Sequence, residues 1–285
     1  MSVSLDRRQF LFGSVGATAA AVLVGCGGGE GASSPEGSVG SEKREYISED
    51  EIDALFTNPD DYKGKWVKLP GMTLGSSERD GDVTAFQAYY DITTYDRTYV
   101  VHCDSDESFS DGEYLWVEGK VDGTFSGENY LGGTIEVPLI VDATVTKSTY
   151  VDVVAPAIAT SEPAVSATEK DVTFTCDKVE YAEIETRIQM TVSNDTKSGV
   201  SYGLYDIRLI VDGQQVEQDQ DSSSAYDGGY PELSYDLTSG ATTTGILVFP
   251  PMDPAKSFQL VVPGIYSDDF ETEFSDVTLD IPAAQ

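Results

Sequence analysis

Across residues 66–146, and again across residues 186–281, apolar side chains recur at alternate positions in short runs. A period of two puts one set of side chains on one face of an extended strand. In the first stretch the runs cover residues 66–74, 84–92, 98–102, 113–121 and 134–146. Gly75-Ser76-Ser77, Asp80-Gly81, Asp111-Gly112, Asp122-Gly123 and Gly132-Gly133 separate or bound them as turn chemistry. Alternation places Leu115, Val117 and Val121 on one face. Pro70 has no amide hydrogen for a ladder, so it must sit at an edge or a bulge. Ahead of the first run, Ser48 and Glu51 have capping-box spacing. Ile52, Leu55 and Phe56 then share one side of a short helix that Asn58-Pro59 ends. Five strands within about eighty residues predict a small Greek-key barrel.

In the second stretch Ile188, Met190 and Val192 face one way. Leu209 and Val211 do the same ahead of an Asp212-Gly213 turn. Further runs over 245–249, 257–262 and 270–281 bring the set to about seven or eight strands, the pattern of a β-sandwich. The Cys-Trp-Cys signature of immunoglobulin domains is missing, because this half holds one cysteine, Cys176, and no tryptophan. Residues 151–168 are rich in Ala, Pro, Ser and Thr and read as a linker. The expected class is therefore all-β: a barrel domain over 46–150 with one short N-terminal helix, then a sandwich over 169–285.

The N-terminus carries an address. Arg7 and Arg8, followed by Phe10 and Leu11, resemble a twin-arginine export signal. The apolar stretch from Gly13 to Gly25 is too short to span a bilayer and reads as a signal core. It ends in Leu23-Val24-Gly25-Cys26, which resembles the lipobox of bacterial-type lipoproteins. That resemblance implies cleavage before Cys26 and lipid on its thiol, so residues 1–26 form the signal. Residues 27–45, mostly Gly, Ser and Glu, form a tether with a root-mean-square reach of roughly 25 Å. The expected location is the cell membrane, lipid-anchored, on the extracytoplasmic side.

Charge narrows the partners. The chain holds 50 acidic and 17 basic residues, a formal net charge of −33. Residues 45–150 carry 22 acids against 7 bases and residues 151–285 carry 24 against 6, so both domains are acidic throughout. Such a field repels nucleic acid and anionic lipid heads and suits basic partners, cations or a salty medium. Ten of the seventeen basic residues are lysines, which counts against salt adaptation.

Two acidic clusters raise the question of calcium: Asp104, Asp106 and Asp111 with Glu113, and Asp219, Asp221 and Asp227 in a Ser-rich loop. The first begins like an EF-hand loop, but Phe109 stands where that loop needs glycine. His102, the sole histidine, lacks companions for a zinc site or a hydrolytic triad and reads as a strand residue. Cys103 and Cys176 fall in different domains and read as two separately buried thiols. Tyr89, Tyr90, Tyr95 and Tyr99 could form a stacking surface for bases, but Asp91, Asp96 and Asp104 surround them, and core packing is the expected role. Asn194-Asp195-Thr196 is a formal glycosylation sequon. No cofactor motif is present.

Two family resemblances accompany these readings. Tyr62 to Lys65, Tyr114 to Val121 (YLWVEGKV) and Asn129 to Gly133 (NYLGG) resemble OB-fold domains, of the anticodon-binding-like type found in exported lipoproteins. Met190 to Asn194, Val211 to Gln214 and Leu237 to Phe249 resemble an uncharacterised family of telokin-like, immunoglobulin-like domains of extracellular lipoproteins. The resemblance implies fold and location rather than catalysis. The function expected is a non-enzymatic, lipid-anchored envelope protein that displays β-domains to a protein partner or ligand. The alternative is a cation- or solute-binding lipoprotein, with calcium the first candidate.

Overall fold

A computed structural model describes residues 44–128, 134–270 and 272–284. The signal with Arg7, Arg8 and Cys26, and nearly all of the tether, lie outside the described residues. The chain divides into two units, Met1–Lys147 and Ser148–Gln285. Both are built almost wholly of strands, and the fold is all-β.

In the first unit the Ser48 amide and Oγ donate to Glu51 Oε2 at 3.2 and 2.7 Å, as the capping-box spacing predicts. Helix α1 (Ile52–Thr57) follows, and Pro59 keeps Asn58 out of helical conformation. Ile52 and Leu55 point from α1 into the barrel core. Strands β1 (Trp66–Asp80), β2 (Val83–Tyr89), β3 (Thr98–Cys103), β4 (Tyr114–Glu128) and β5 (Thr134–Lys147) close into a barrel in the order β1-β2-β3-β5-β4. Every pairing is antiparallel except β3 with β5. Val67, Leu69, Phe86, Tyr99, Val117 and Ile140 fill the interior. At Pro70, β1 pairs only with β4, since its pairing with β2 begins at Met72. The proline therefore occupies a local edge, and its carbonyl accepts from Tyr99 Oη at 3.0 Å.

Two expected turns are bulges. The run beginning at Trp66 continues past Gly75, with the register against β2 shifting between Leu74 and Glu78. That beginning at Tyr114 continues past Gly123, shifting against β5 between Val121 and Thr124. Gly75 and Gly123 have φ of 75° and 95°, a conformation open to glycine that lets one strand bend without ending.

The linker expected over 151–168 is part of the second unit. It holds α2 (Tyr150–Val153), β6 (Ala157–Ser161) and β7 (Val165–Glu169). Both strands pair with β8 (Val172–Ala182). Pro163 and Ala164, the latter at φ 47°, split one edge into two strands. The second unit thus begins at Ser148, taking in the stretch 151–168 expected to link the barrel ending at 150 to a domain starting at 169.

Beyond β8 come β9 (Thr186–Asn194), β10 (Val200–Ser201), β11 (Arg208–Val211), β12 (Gln214–Glu217) and α3 (Ser223–Asp227). After them come β13 (Asp236–Leu237), β14 (Thr242–Phe249), β15 (Phe258–Val262), β16 (Tyr266–Ser267) and β17 (Val277–Ile281). One sheet runs β14-β9-β8-β6 with β7 also on β8, another runs β12-β11-β15-β17, and β13-β10-β16 form a third. Phe174, Ile188, Met190 and Phe249 from the first sheet share one core with Leu209, Leu260 and Leu279 from the second. Each such side chain contributes about 1.5–3 kcal/mol on burial. No disulfide is needed across this core: Cys176 sits in it as a free thiol.

Candidate functional site

The acidic clusters do not assemble into cation sites. Asp106 pairs with Arg79 at 2.7 Å, Asp111 accepts from the Gly75 amide at 2.6 Å, and Glu113 pairs with Lys147 at 3.0 Å. Phe109 is buried in the barrel against Phe86, with ring centroids 4.7 Å apart, so the segment cannot wrap an ion. In the second cluster Asp219 accepts from the Asp221 amide at 3.2 Å and Asp227 closes α3. Among the described residues, no three His, Cys, Asp or Glu side chains gather where a metal could bind. For Asp104, Asp106, Asp111, Asp219, Asp221 and Asp227, adjacency in sequence does not become convergence of three such side chains in space.

Other candidates separate in the same way. Tyr99 points into the barrel, and burial pushes its hydroxyl far above the usual tyrosine range. Tyr90 packs on Phe56, with the Arg97 guanidinium 4.8 Å from its ring centre, while Tyr89 meets Tyr95 edge-on at 5.3 Å. The four tyrosines therefore form no shared platform. His102 lies on β3. Asn194 of the sequon is 1 % exposed, and its amide donates to the Ser198 and Leu237 carbonyls at 2.9 and 3.0 Å. It is a turn anchor closed to a glycosyl donor.

Cys103 and Cys176 are buried in separate units. Burial raises both thiols, Cys176 to about 12, with nearby carboxylates adding to the effect. Since the thiolate is the reactive form, both should resist iodoacetamide in the native protein and react after guanidinium denaturation. Peptide mass mapping reads the result, and native labelling at either site would contradict the burial described.

The outer face of β2 and β3, opposite the barrel core, is covered by the chain itself. Phe125 and Leu139, from the long β4–β5 hairpin, bury Ala85 and Val100 completely, with Ile135, Val137 and Val141 at the margin. This second small core closes the middle of those two strands.

The most organised polar constellation lies in the second unit. Alternation along β9 turns Ile188 and Met190 into the core and Arg187 outward. The segment between β12 and β13 folds back over that outward side. Arg187 is 2 % exposed. Its Nε donates to Glu180 at 2.9 Å, and its Nη1 donates to Glu185 at 2.5 Å and to the Ala155 carbonyl at 2.8 Å. Ser222 Oγ donates to Glu185 at 2.8 Å, Ser224 Oγ donates to the same carboxylate, and Tyr230 Oη donates to Glu180. Lys178 reaches Glu180 at 2.5 Å. Burial pushes the Glu180 carboxyl up, but hydrogen bonds from Lys178, Tyr230 and Arg187 outweigh it and hold it below its ordinary value. Burial, aided by Glu180, pushes the Tyr230 hydroxyl up to about 12.

This cluster clamps the segment 218–235, which at eighteen residues is longer than most connections in a compact domain. Gln218 Nε2 donates to the Leu204 and Ile207 carbonyls at 2.7 and 2.9 Å, and the Asp219 amide donates to Val248 at 2.8 Å. Tyr205, Tyr226 and Tyr235 stay exposed on and beside the clamped segment. A long segment held on a rigid sheet and carrying exposed aromatics is an arrangement suited to recognition. The sequence pointed to the acidic residues of this loop. The residues that hold it, Glu180, Glu185 and Arg187, were not singled out.

Among the described residues no helix is long and apolar enough to cross a membrane. No protein-family model matches the chain. No curated protein matches it either. A solved structure of a functionally unknown protein from Listeria monocytogenes EGD-e is similar at 13% sequence identity, over 45% of this chain and 87% of that one, with a TM-score of 0.33.

Proposed function

We propose that this chain is a non-enzymatic, lipid-anchored protein of the cell envelope, whose β-domains bind a partner outside the cytoplasm. The observation that carries the binding role is the clamped segment 218–235, which keeps Tyr226 exposed while Ser222 and Ser224 are fixed on buried Glu185. Order of this kind, already present before binding, lowers the entropic penalty of association. Support for the anchor comes from Arg7, Arg8 and Cys26, and for the tether from the Gly- and Ser-rich run after them. The barrel is read as an OB-fold on its strand order and the parallel β3–β5 pair, and the second unit as an immunoglobulin-like sandwich on its facing sheets. Support for a non-catalytic role comes from a lone His102 on a strand and from two thiols raised by burial.

Chemical cross-linking in intact cells, followed by mass spectrometry, tests the reading. One protein is expected to be recovered reproducibly with the wild type, and Cys26→Ser is expected to leave the membrane fraction. Recovery of no partner would overturn the binding role, and retention of Cys26→Ser in the membrane would overturn the anchor.

A further inference from the structure

Residues 209–255 contain no Lys, Arg or His and eight Asp or Glu. It contains the clamped segment 218–235, and the aromatic residues on and beside that segment are not all spent on the core. Tyr205 is 62 % exposed and Tyr226 is 77 % exposed. Gln220 joins them: its Nε2 donates to the Tyr205 carbonyl at 3.0 Å, and Tyr226 Oη donates to the Gln220 carbonyl at 3.2 Å. Asp206, Asp219 and Asp221 are exposed on the same two segments, and among the described residues no ion pair engages them.

An exposed tyrosine ring presents a face of negative potential, which attracts a cation and is reinforced by carboxylates beside it. The backbone that carries the rings is held in place: Gln218 and Gln220 tie the loop to the turn at 204–207, and Glu185 ties down Ser222 and Ser224. We infer that the Tyr205–Tyr226 face is the docking surface for a basic protein segment, with Arg or Lys side chains lying over the rings and pairing with Asp206, Asp219 and Asp221. This rests on the binding role proposed above and names its partner's chemistry. Charge selects the occupant. A second copy of a chain at −33 is repelled, as are nucleic acid and anionic lipid, whereas a basic segment is drawn in and steered.

The test must separate ring contacts from bulk attraction, because any polycation is drawn to so acidic a protein. The full chain in detergent is titrated with a fluorescent peptide of alternating Arg and Gly, at physiological salt, and fluorescence anisotropy is read. Replacing Tyr205→Ala and Tyr226→Ala together leaves net charge unchanged and is expected to weaken binding about tenfold. The pair Tyr205→Phe and Tyr226→Phe keeps the rings and should retain most of the affinity, which guards against a misfolded alanine variant. Glu162→Gln with Glu183→Gln removes two exposed charges elsewhere and should weaken binding by less than about twofold. Equal binding by the alanine variant and the wild type, or an equal loss in the charge control, would overturn the inference. If a partner is still cross-linked in cells when the peptide ignores this face, only the present inference falls; absence of any cross-linked partner overturns the wider binding role.

Discussion

Arg187→Met should destabilise the second unit by about 3–5 kcal/mol, the usual penalty for removing one member of a buried ion cluster. The guanidinium is 2 % exposed and meets both Glu180 and Glu185, so its loss leaves two carboxylates in a site that water does not reach freely. Methionine matches much of the stem volume, which keeps the loss electrostatic rather than steric. Adding Glu180→Gln and Glu185→Gln should restore most of the stability, because the uncompensated charge is then gone. Urea denaturation followed by far-ultraviolet circular dichroism measures the difference. Tryptophan emission monitors the barrel separately, since Trp66 and Trp116 both lie there. A single variant within about 1 kcal/mol of wild type would mean that the cluster is solvated and does not clamp the loop.

The same variant has a pH signature. Glu180 titrates below its ordinary 4.5 in the fold, so its stabilising contribution is present above that value and is lost as pH falls through the lower, folded value. Without Arg187, burial is opposed only by Lys178 and Tyr230, and the carboxyl rises. Protonation then does for Glu180 what the Gln substitution does, so the gap in stability between Arg187→Met and wild type should narrow as pH falls through the carboxylate range.

Local patterns were legible where one face decides the outcome. Alternation found Leu115, Val117 and Val121 inside the barrel and Ile188, Met190 and Val192 inside the second core, as well as the helix over Ile52 and Leu55. Glycine was harder to interpret, because Gly75 and Gly123 adopt the same left-handed conformation in a bulge that they would in a turn. The Ala- and Ser-rich stretch over 151–168 looked like a linker because edge strands with one wet face need few large side chains. What pattern could not supply is the covering of an outward face by a distant segment. Arg187 sits where alternation puts a solvated residue, and only the return of Ser222, 37 positions beyond Glu185, buries it. The outer face of β2 and β3 is likewise closed by Phe125 from another hairpin. Both the candidate site and the occluded face depend on tertiary contacts, and so do the partners of the first acidic cluster, since Asp106, Asp111 and Glu113 meet Arg79, Gly75 and Lys147 from distant strands.

Gly245→Val should destabilise the second unit by roughly 3 kcal/mol, the upper end of what forced overpacking costs. Intrinsic preference argues the opposite sign: β-branched residues favour strands and glycine weakens them, so valine within β14 would ordinarily help. Space decides. A Cβ at Gly245 would lie 2.7 Å from Leu233 Cβ and 2.8 Å from Leu233 Cα, and backbone cannot swing aside as a flexible side-chain end can. Leu233 is itself buried in the core, and its neighbour Ser234 donates its amide to Thr243 Oγ1 at 3.0 Å, so the segment lies flat on β14 and must lift as a unit. Lifting it also loosens the loop that carries Tyr226. Chymotrypsin should then cleave after Tyr226 and Tyr235 faster than in wild type, while the tryptophan-monitored barrel transition supplies the internal reference. Stabilisation by valine, or unchanged cleavage, would show that the segment does not rest on β14. A denaturation midpoint that falls together with faster loop cleavage would place the clamp and the display surface in one mechanical element, held at one end by Arg187 and at the other by the missing side chain of Gly245.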